Sequence, residues 1–188
     1  RARLARNVAK TPFPHKSRGT EKVAGIKQPV KDAFLAAGSD FSFLELKDLS
    51  PIEKTRLVEK HVISKELTSY ADSAVLLSPD ETVSIMVMEE DHYRLQCITS
   101  GFNPEVTYGS CNELAKLLGK KVDYAFDEKM GYLTACPTNV GSGLRVSVML
   151  HLKGLALSDT VGSVLSSLGR FGVTARGLYG EGSAAGAD

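Results

Sequence analysis

Apolar residues recur along this chain at two spacings, and the switches between them mark out its elements. Ser50-Pro51-Ile52-Glu53 supplies an N-cap, a proline suited to a first helical turn and the glutamate of a capping box. Behind it Ile52, Leu57, Val58 and His61 fall near one face of a helix predicted to run to His61 or Val62. The pattern then changes to short apolar runs. Ala74 to Leu77 and Thr82 to Met88 are predicted strands joined by the turn Ser78-Pro79-Asp80-Glu81, and Tyr93 to Thr99 is a third. Glu89-Glu90-Asp91-His92 stands where a hairpin connection belongs. Ser110-Cys111-Asn112-Glu113 reads as a second capping box, opening a helix that ends near Gly119. Tyr132 to Ala135, Arg145 to His151 and Val173 to Tyr179 are further predicted strands. Ser158-Asp159 is expected to cap a last helix with Val161, Val164, Leu165 and Leu168 inward, closed by Gly169 or Gly172. The first 28 residues, with Pro12, Pro14, Gly19 and Gly25, show no sustained period and read as irregular; the Gly-, Ala- and Ser-rich stretch from Gly180 to Asp188 reads as flexible.

Strands outnumber helices and are often neighbours in sequence, so the predicted class is α+β, a largely antiparallel sheet flanked by helices rather than a doubly wound parallel one. At 188 residues, 43% hydrophobic and 24% charged, the composition is that of a globular protein. The longest apolar stretches, such as Ser84 to Met88 and Val146 to Leu150, are too short to span a bilayer, and no segment has the pattern of a signal peptide. Three cysteines without CxxC spacing argue against a disulfide framework or a zinc site, and the expected compartment is a reducing cytoplasm. The net charge of +1 hides an asymmetry, because residues 1–31 carry nine Lys or Arg against the single acid Glu21. Such an arm suits an anionic partner, whether nucleic acid, phosphate ligand or acidic protein; charge alone is equally well read as a solvated, partly mobile terminus. With no aromatic residue beyond Phe13 interleaved there, a stacking surface for single-stranded nucleic acid is not indicated.

Candidate chemistry gathers in a few places. In Glu89-Glu90-Asp91-His92-Tyr93-Arg94 three consecutive carboxylates repel one another, a cost relieved by a cation such as magnesium or a guanidinium; the plain alternative is a solvated turn. Cys136, before Pro137-Thr138-Asn139 and the glycines Gly141 and Gly143, is either a small buried hydrophobe or a thiolate presented to a cationic substrate. Arg145 opens the strand after those glycines, and Arg176 and Glu181 flank a glycine-rich segment able to open and close. No GxxxxGKS/T loop is present, so a nucleoside triphosphate would have to be neutralised by side chains. Arg1, Arg3, Arg94, Arg145 and Arg176 are spread for that task, and the planar guanidinium fork grips phosphate oxygens in pairs.

The strings RARLARN (Arg1 to Asn7), EKHVIS (Glu59 to Ser64), EEDHYR (Glu89 to Arg94), YAFDEKMGYLTACPTNVGSGLRVSV (Tyr124 to Val148) and ARGLYGEGS (Ala175 to Ser183) resemble, in this order, the motifs of the guanidino phosphotransferases. This family includes the phosphagen kinases, and the GSGLR turn, the YAFDE run and the GEGS segment are most similar to its bacterial protein-arginine kinase branch. The resemblance implies a glutamine-synthetase-like catalytic domain over residues 1–188, incomplete at its C-terminal end, with residues before Arg1 and after Asp188, including a helical C-terminal domain, belonging to the longer protein. It implies transfer of the γ-phosphoryl group of ATP to arginine side chains of proteins, with ATP and Mg²⁺ required, as a mark in bacterial stress response and protein quality control.

By the same resemblance Arg1, Arg3, His61, Arg94, Arg145 and Arg176 would bind ATP, and Glu89 would support magnesium through water. Glu90 would orient and deprotonate the acceptor, Glu181 would be the second guanidinium-binding carboxylate, and Cys136 the reactive cysteine beside it. Implied partners are arginine-containing protein substrates, among them a transcriptional repressor, an activating adaptor protein and a second copy of the full-length chain. Neither direct nucleic-acid binding nor a membrane is expected. The alternatives are a small-molecule arginine (phosphagen) kinase and a regulatory module that binds without turnover.

Overall fold

The computed structural model describes residues 1–35, 39–158 and 160–175, in two compact units, 1–147 and 148–188. The first is built on a six-stranded sheet of β1 (Ala2–Arg6), β2 (Ser42–Glu45), β3 (Ala74–Leu77), β4 (Val83–Val87), β5 (Tyr93–Cys97) and β8 (Leu144–Val146) in the order β2-β3-β4-β5-β1-β8. Every pairing in it is antiparallel, as the pattern of neighbouring strands predicts. Helices α1 (Pro14–Ser17), α2 (Lys22–Phe34), α3 (Pro51–Glu59) and α4 (Pro104–Gly119) accompany it, with a small hairpin of β6 (Phe126–Asp127) and β7 (Gly131–Tyr132). The second unit holds α5 (Lys153–Leu157) and α6 (Val161–Leu168). No helix among the described residues is long and apolar enough to cross a membrane.

The two sheet faces are treated differently, and this positions the site. Alternation along antiparallel strands puts Ala2 and Leu4 of β1, Leu95 and Cys97 of β5, Ile85 of β4 and Leu76 of β3 on one face. Against them lie Val23, Ile26, Val30 and Phe34 of α2 and Cys111, Ala115 and Leu118 of α4, an apolar stripe at helical spacing in each case. The Tyr93 hydroxyl, in the middle of this layer, donates to the Ile26 carbonyl at 2.7 Å. On the opposite face the apolar cover reaches β2, β3 and β4: Leu44, Val75, Leu77 and Met86 pack with Leu46, Leu57, Val62, Ile63 and Leu67. Over β5, β1 and β8 that face carries polar residues.

Local rules hold at α3, where both bonds of the capping box form. Ile52 nevertheless stays 82% exposed; at about 100° per residue it sits roughly 140° round the helix from the buried Leu57. The Ser78–Glu81 turn forms as predicted, with Asp80 accepting from Ser78 and Thr82. In α6, which follows Thr160 and closes at Gly169, Val161, Leu165 and Leu168 are half-buried as the inward face requires, whereas Val164 is 39% exposed. Asp159 lies outside the described residues, and the Ser158 hydroxyl pairs with that of Thr160 at 2.7 Å instead of capping.

Elsewhere tertiary partners move the boundaries. The first 28 residues are not irregular: β1 is an interior strand, followed by α1 and most of α2, so the basic segment is built into the fold and is not a solvated, mobile terminus. Helix α4 starts six residues before the Ser110 capping box. Pro104 pre-sets the first turn there, and the Ser110 hydroxyl bonds back to the Val106 carbonyl within the helix. The strand predicted over Tyr132 to Ala135 stops at Tyr132, because side chains take the backbone groups a ladder would use: Asn7 binds the Leu133 carbonyl and Asp91 the Ala135 N–H. That predicted over Arg145 to His151 ends at Val146, opposite Ala2, the first residue of β1. Val173 to Ala175 form no strand, and residues 176–188 of the predicted last strand and tail lie outside the described residues.

Replacing Ser50 by Ala removes the hydroxyl that accepts from the Glu53 N–H and is expected to lower stability by about 1 kcal/mol, read as a smaller urea midpoint at unchanged slope.

Candidate active site

The uncovered part of the sheet collects cations. Arg3 on β1 lies directly opposite Arg145 on β8 and Gln96 on β5, and Ala5 lies opposite Arg94. Arg3, Arg94, Gln96 and Arg145 therefore share one face. Arg1 joins them just before β1: its Nε donates to the Ser147 hydroxyl at 3.1 Å, and burial together with the Arg145 and Arg94 charges lowers its pKa. Burial first, then Arg1, Arg94 and Arg145, push the Arg3 guanidinium down to about 9. Its Nε is buried with no hydrogen-bond partner. Half-buried guanidinia that destabilise one another in this way make a site for a multiply charged anion. His61 belongs to the same group. Its backbone, at φ 57°, turns the chain out of α3, and burial followed by the Arg1 charge lowers its pKa. The Gln96 side chain ties this turn to the arginine face by donating to the His61 carbonyl at 2.8 Å.

The acids stand beside the cations at the β4–β5 turn. Glu89 is buried at 3% exposure, its Oε1 accepting from Arg94 at 2.6 Å and from the Ser64 hydroxyl. Glu90 is exposed over 46% of its side chain, with Arg94 3.5 Å away. Burial raises its pKa; Arg94 opposes the shift, and Asp91, Glu89 and Glu66 add to it. A partly exposed carboxylate biased toward accepting a proton has what a general base requires. The acidic turn is thus no merely solvated connection.

The rest of the turn is structural. The Asn7 amide donates to Asp91 Oδ1 at 2.6 Å, the Asn7 side-chain oxygen accepts the His92 N–H at 2.8 Å, and Ala135 N–H reaches the same Asp91 oxygen at 2.7 Å. His92 Nδ1 accepts from Val8 N–H at 3.0 Å, so the proton sits on Nε2, which donates to the Pro12 carbonyl. Burial lowers the His92 pKa and keeps this neutral tautomer. Through Ala135 the turn also fixes the neighbouring Cys136, which is half-buried and 3.0 Å from the Thr138 hydroxyl. It is not a sequestered hydrophobe. Cys97 and Cys111 are buried; all three thiols are free.

Arg6 holds the approach to Arg145. It lies 3.5 Å over the Tyr132 ring, and its Nη1 donates to the carbonyls of Ala5 and Ser142 at 2.7 and 2.9 Å. Ala5 N–H donates to the Gly143 carbonyl at 2.9 Å. Gly143 adopts φ +63°, and a Cβ there would stand 2.6 Å from the Ala5 carbonyl oxygen.

The structure therefore brings together Arg1, Arg3, His61, Arg94, Arg145, Glu89 and Glu90 around one sheet face, with Cys136 moored beside the acidic turn. Arg176 and Glu181 lie outside the described residues. Sequence reasoning missed the side chains that hold these groups in place: Arg6, Asn7, Asp91 and His92, although each lies within a motif already singled out, and Gln96 and Arg18, for which spacing offered no signal.

No cage of three or more metal-ligating side chains occurs among the described residues. One or two carboxylates beside a phosphate-binding cluster do suit Mg²⁺, which keeps much of its water and takes phosphate oxygens. Glu89, bonded to Arg94 at the edge of that cluster, is the residue that would hold it through water.

Residues 25–188 match the family described as ATP:guanido phosphotransferase, C-terminal catalytic domain. Curated relatives include protein-arginine kinases of Clostridium kluyveri, 49% identical over 98% of this chain and 54% of the relative, and of Pelotomaculum thermopropionicum, 45% identical over 98% and 53%. That of Bacillus cereus (strain G9842) is 42% identical over 98% and 53%. The chain thus spans about half the length of these relatives. Among solved structures, a duplicated taurocyamine kinase from Schistosoma mansoni with bound transition-state analogue components superposes with a TM-score of 0.78 at 24% identity, covering 97% of this chain and 27% of that one. A lombricine kinase gives 0.74 at 24% identity, covering 98% and 55%. At that identity the likeness is one of fold.

Gly143→Ala is expected to cost on the order of 1–3 kcal/mol, from the left-handed backbone and the contact with the Ala5 carbonyl. Because the displaced segment is β8, nucleotide affinity should fall with it, measurable by fluorescent-nucleotide titration.

Proposed function

The chain belongs to the ATP:guanido phosphotransferase family, and from that premise we propose that the full-length protein transfers the γ-phosphoryl group of ATP to arginine side chains of proteins. The observation that carries this reading is the convergence of Arg3, Arg94 and Arg145, with Arg1 beside them, on one sheet face, which calls for a polyanion, next to the partly exposed Glu90 of the adjoining turn, 3.5 Å from Arg94, which calls for a cationic acceptor. The protein-arginine kinase relatives at 42–49% identity supply the acceptor class.

Arg1, Arg3, Arg94 and Arg145 hold the triphosphate, joined by Arg176, and His61 contacts the nucleotide. Mg²⁺, supported by Glu89, neutralises phosphate charge when bound. Glu90 orients the acceptor guanidinium and takes one of its N–H protons while the N–P bond forms and the bond from γ-phosphorus to the ADP oxygen breaks. Glu181 fixes the other edge of the acceptor fork, with Cys136 alongside. A guanidinium is a poor nucleophile because its lone pairs are delocalised, so removing that proton as the bond forms is the step the protein must assist. The remaining barrier is met by positioning and charge neutralisation. The same reading places the protein in a bacterial cytoplasm under stress, acting as a homodimer with an activating adaptor, a transcriptional repressor being among its substrates.

Phosphorus NMR of the full-length protein with ATP, Mg²⁺ and either an arginine-rich protein or free arginine tests the proposal. An acid-labile P–N signal on the protein acceptor is expected; a signal on free arginine alone would make it a phosphagen kinase, and none on either would overturn it. Glu90→Gln is expected to lower kcat by on the order of 10²-fold or more. In the wild type the acid limb of kcat/KM should lie above the value near ~4.3 of an ordinary glutamate. The same variant should be more stable at neutral pH. Burial favours the neutral Glu90 carboxyl, so its stabilising contribution is complete below the ordinary glutamate range and is lost as pH rises through the raised folded-state value. Differential scanning calorimetry should show a higher midpoint at pH 7, the gap closing as the pH falls below the raised folded-state value.

A further inference from the structure

We propose that Arg18 is a positioning residue for the acidic turn, gripping the main chain at Glu89 so that the Glu89 and Glu90 carboxylates stay aimed at the arginine face. The inference deepens the phosphotransferase reading and rests on it for its kinetic consequences, though not for its structural ones.

Arg18 follows α1, far in sequence from the turn, and its side chain is 21% exposed. Its Nη2 donates to the Glu89 carbonyl at 2.5 Å. Nη1 donates to Asp72 Oδ1 at 2.9 Å and approaches the Ser73 hydroxyl at 3.5 Å, and the guanidinium lies 3.4 Å over the Tyr70 ring. Asp72 holds both ends of this residue, since its second oxygen accepts the N–H of Gly19 at 3.1 Å. The loop from Tyr70 to Ser73 therefore fixes Arg18 by charge, by stacking and through the backbone beside it. The Ser73 hydroxyl also donates to the Met88 carbonyl at 2.6 Å. Two successive carbonyls of the acidic turn, Met88 and Glu89, are thus held from one loop and one guanidinium.

The turn needs such restraint. Met88 has φ 62°, a left-handed conformation that an unbranched side chain tolerates only at some cost, and Glu89, Glu90 and Asp91 repel one another. Asn7, Val8 and Pro12 moor the far side at Asp91 and His92. Without Arg18 the near side would keep the Ser73 bond to Met88 and the Ser64 and Arg94 bonds to the Glu89 carboxylate, but the Glu89 carbonyl would lose its guanidinium donor. A planar fork that stacks and donates in two directions does this where a lysine, a point charge, does not. Arg18 reaches the arginine cluster only through the main chain of Glu89, so its loss should disturb acceptor alignment more than nucleotide binding.

The test compares full-length wild type with Arg18→Met, Arg18→Lys and Asp72→Asn by amide hydrogen exchange and by steady-state kinetics. In Arg18→Met the amides of Met88 to His92 should exchange about tenfold faster or more while those of β5 keep their protection. The kcat should fall by on the order of ten- to a hundredfold with KM for ATP within about twofold. Arg18→Lys should resemble Arg18→Met rather than wild type, and Asp72→Asn combined with Arg18→Met should be no worse than Arg18→Met alone. Unchanged exchange in the turn would overturn the proposal, as would a kcat within twofold of an active wild type or full additivity with Asp72→Asn. Should wild type phosphorylate no guanidinium compound, the functional reading falls and the exchange data still decide the role of Arg18. If Arg18→Met does not fold, Asp72→Asn carries the same readouts.

Discussion

Like charges held close together out of bulk water are the constraint on which the rest of this structure depends. Arg3, Arg94 and Arg145 come from three strands and meet on one sheet face with Arg1, which stands just before β1, and the Arg1 and Arg3 guanidinia bear the electrostatic cost of these neighbours. A sheet can bear this only if its other side is secured. Here α2 and α4 bury a continuous apolar layer behind β1 and β5, which carry Arg3 and Arg94, while the apolar cover formed by α3 and the segment after it stops at β4. The open face is thus a consequence of unequal covering: the hydrophobic effect on one side holds the cations in place on the other. The same alternation that sends Leu4 and Leu95 into the core sends Arg3 and Arg94 out of it.

Glu89 is the principal counterweight to these charges. Buried and bonded to Arg94, it ties the cation cluster to the acidic turn, and Glu90 beside it remains accessible with its proton affinity raised. Asp91 and His92 play a different part from the two glutamates they follow. They face inward and take hydrogen bonds from Asn7, Val8 and Ala135, converting a charged hairpin connection into a rigid shelf. Four consecutive residues thereby divide into two that face the arginine cluster and two that hold the protein together. Preorganisation of this kind keeps reacting groups in place without reorganisation at the moment of transfer.

Local signals determined the parts of the molecule in which chain neighbours decide the structure. The capping box at Ser50, the Ser78–Glu81 turn and the strands from Ala74 to Cys97 all rest on contacts within a few residues, and there pattern and fold agree. The EEDH and RARLARN strings also marked most of the charged groups of the site, because their chemistry is visible in residue type. Contacts distant in the chain decided the remainder. The basic first residues become an interior strand because β5 and β8 pair with them; Ala135 leaves the expected strand because Asp91 claims its N–H. Arg18 acquires its place from Tyr70, Asp72 and Glu89, all more than fifty positions away. Spacing along a chain reports periodicity and caps, whereas which guanidinium meets which carboxylate depends on strand order and register, and these exist only once the sheet is assembled.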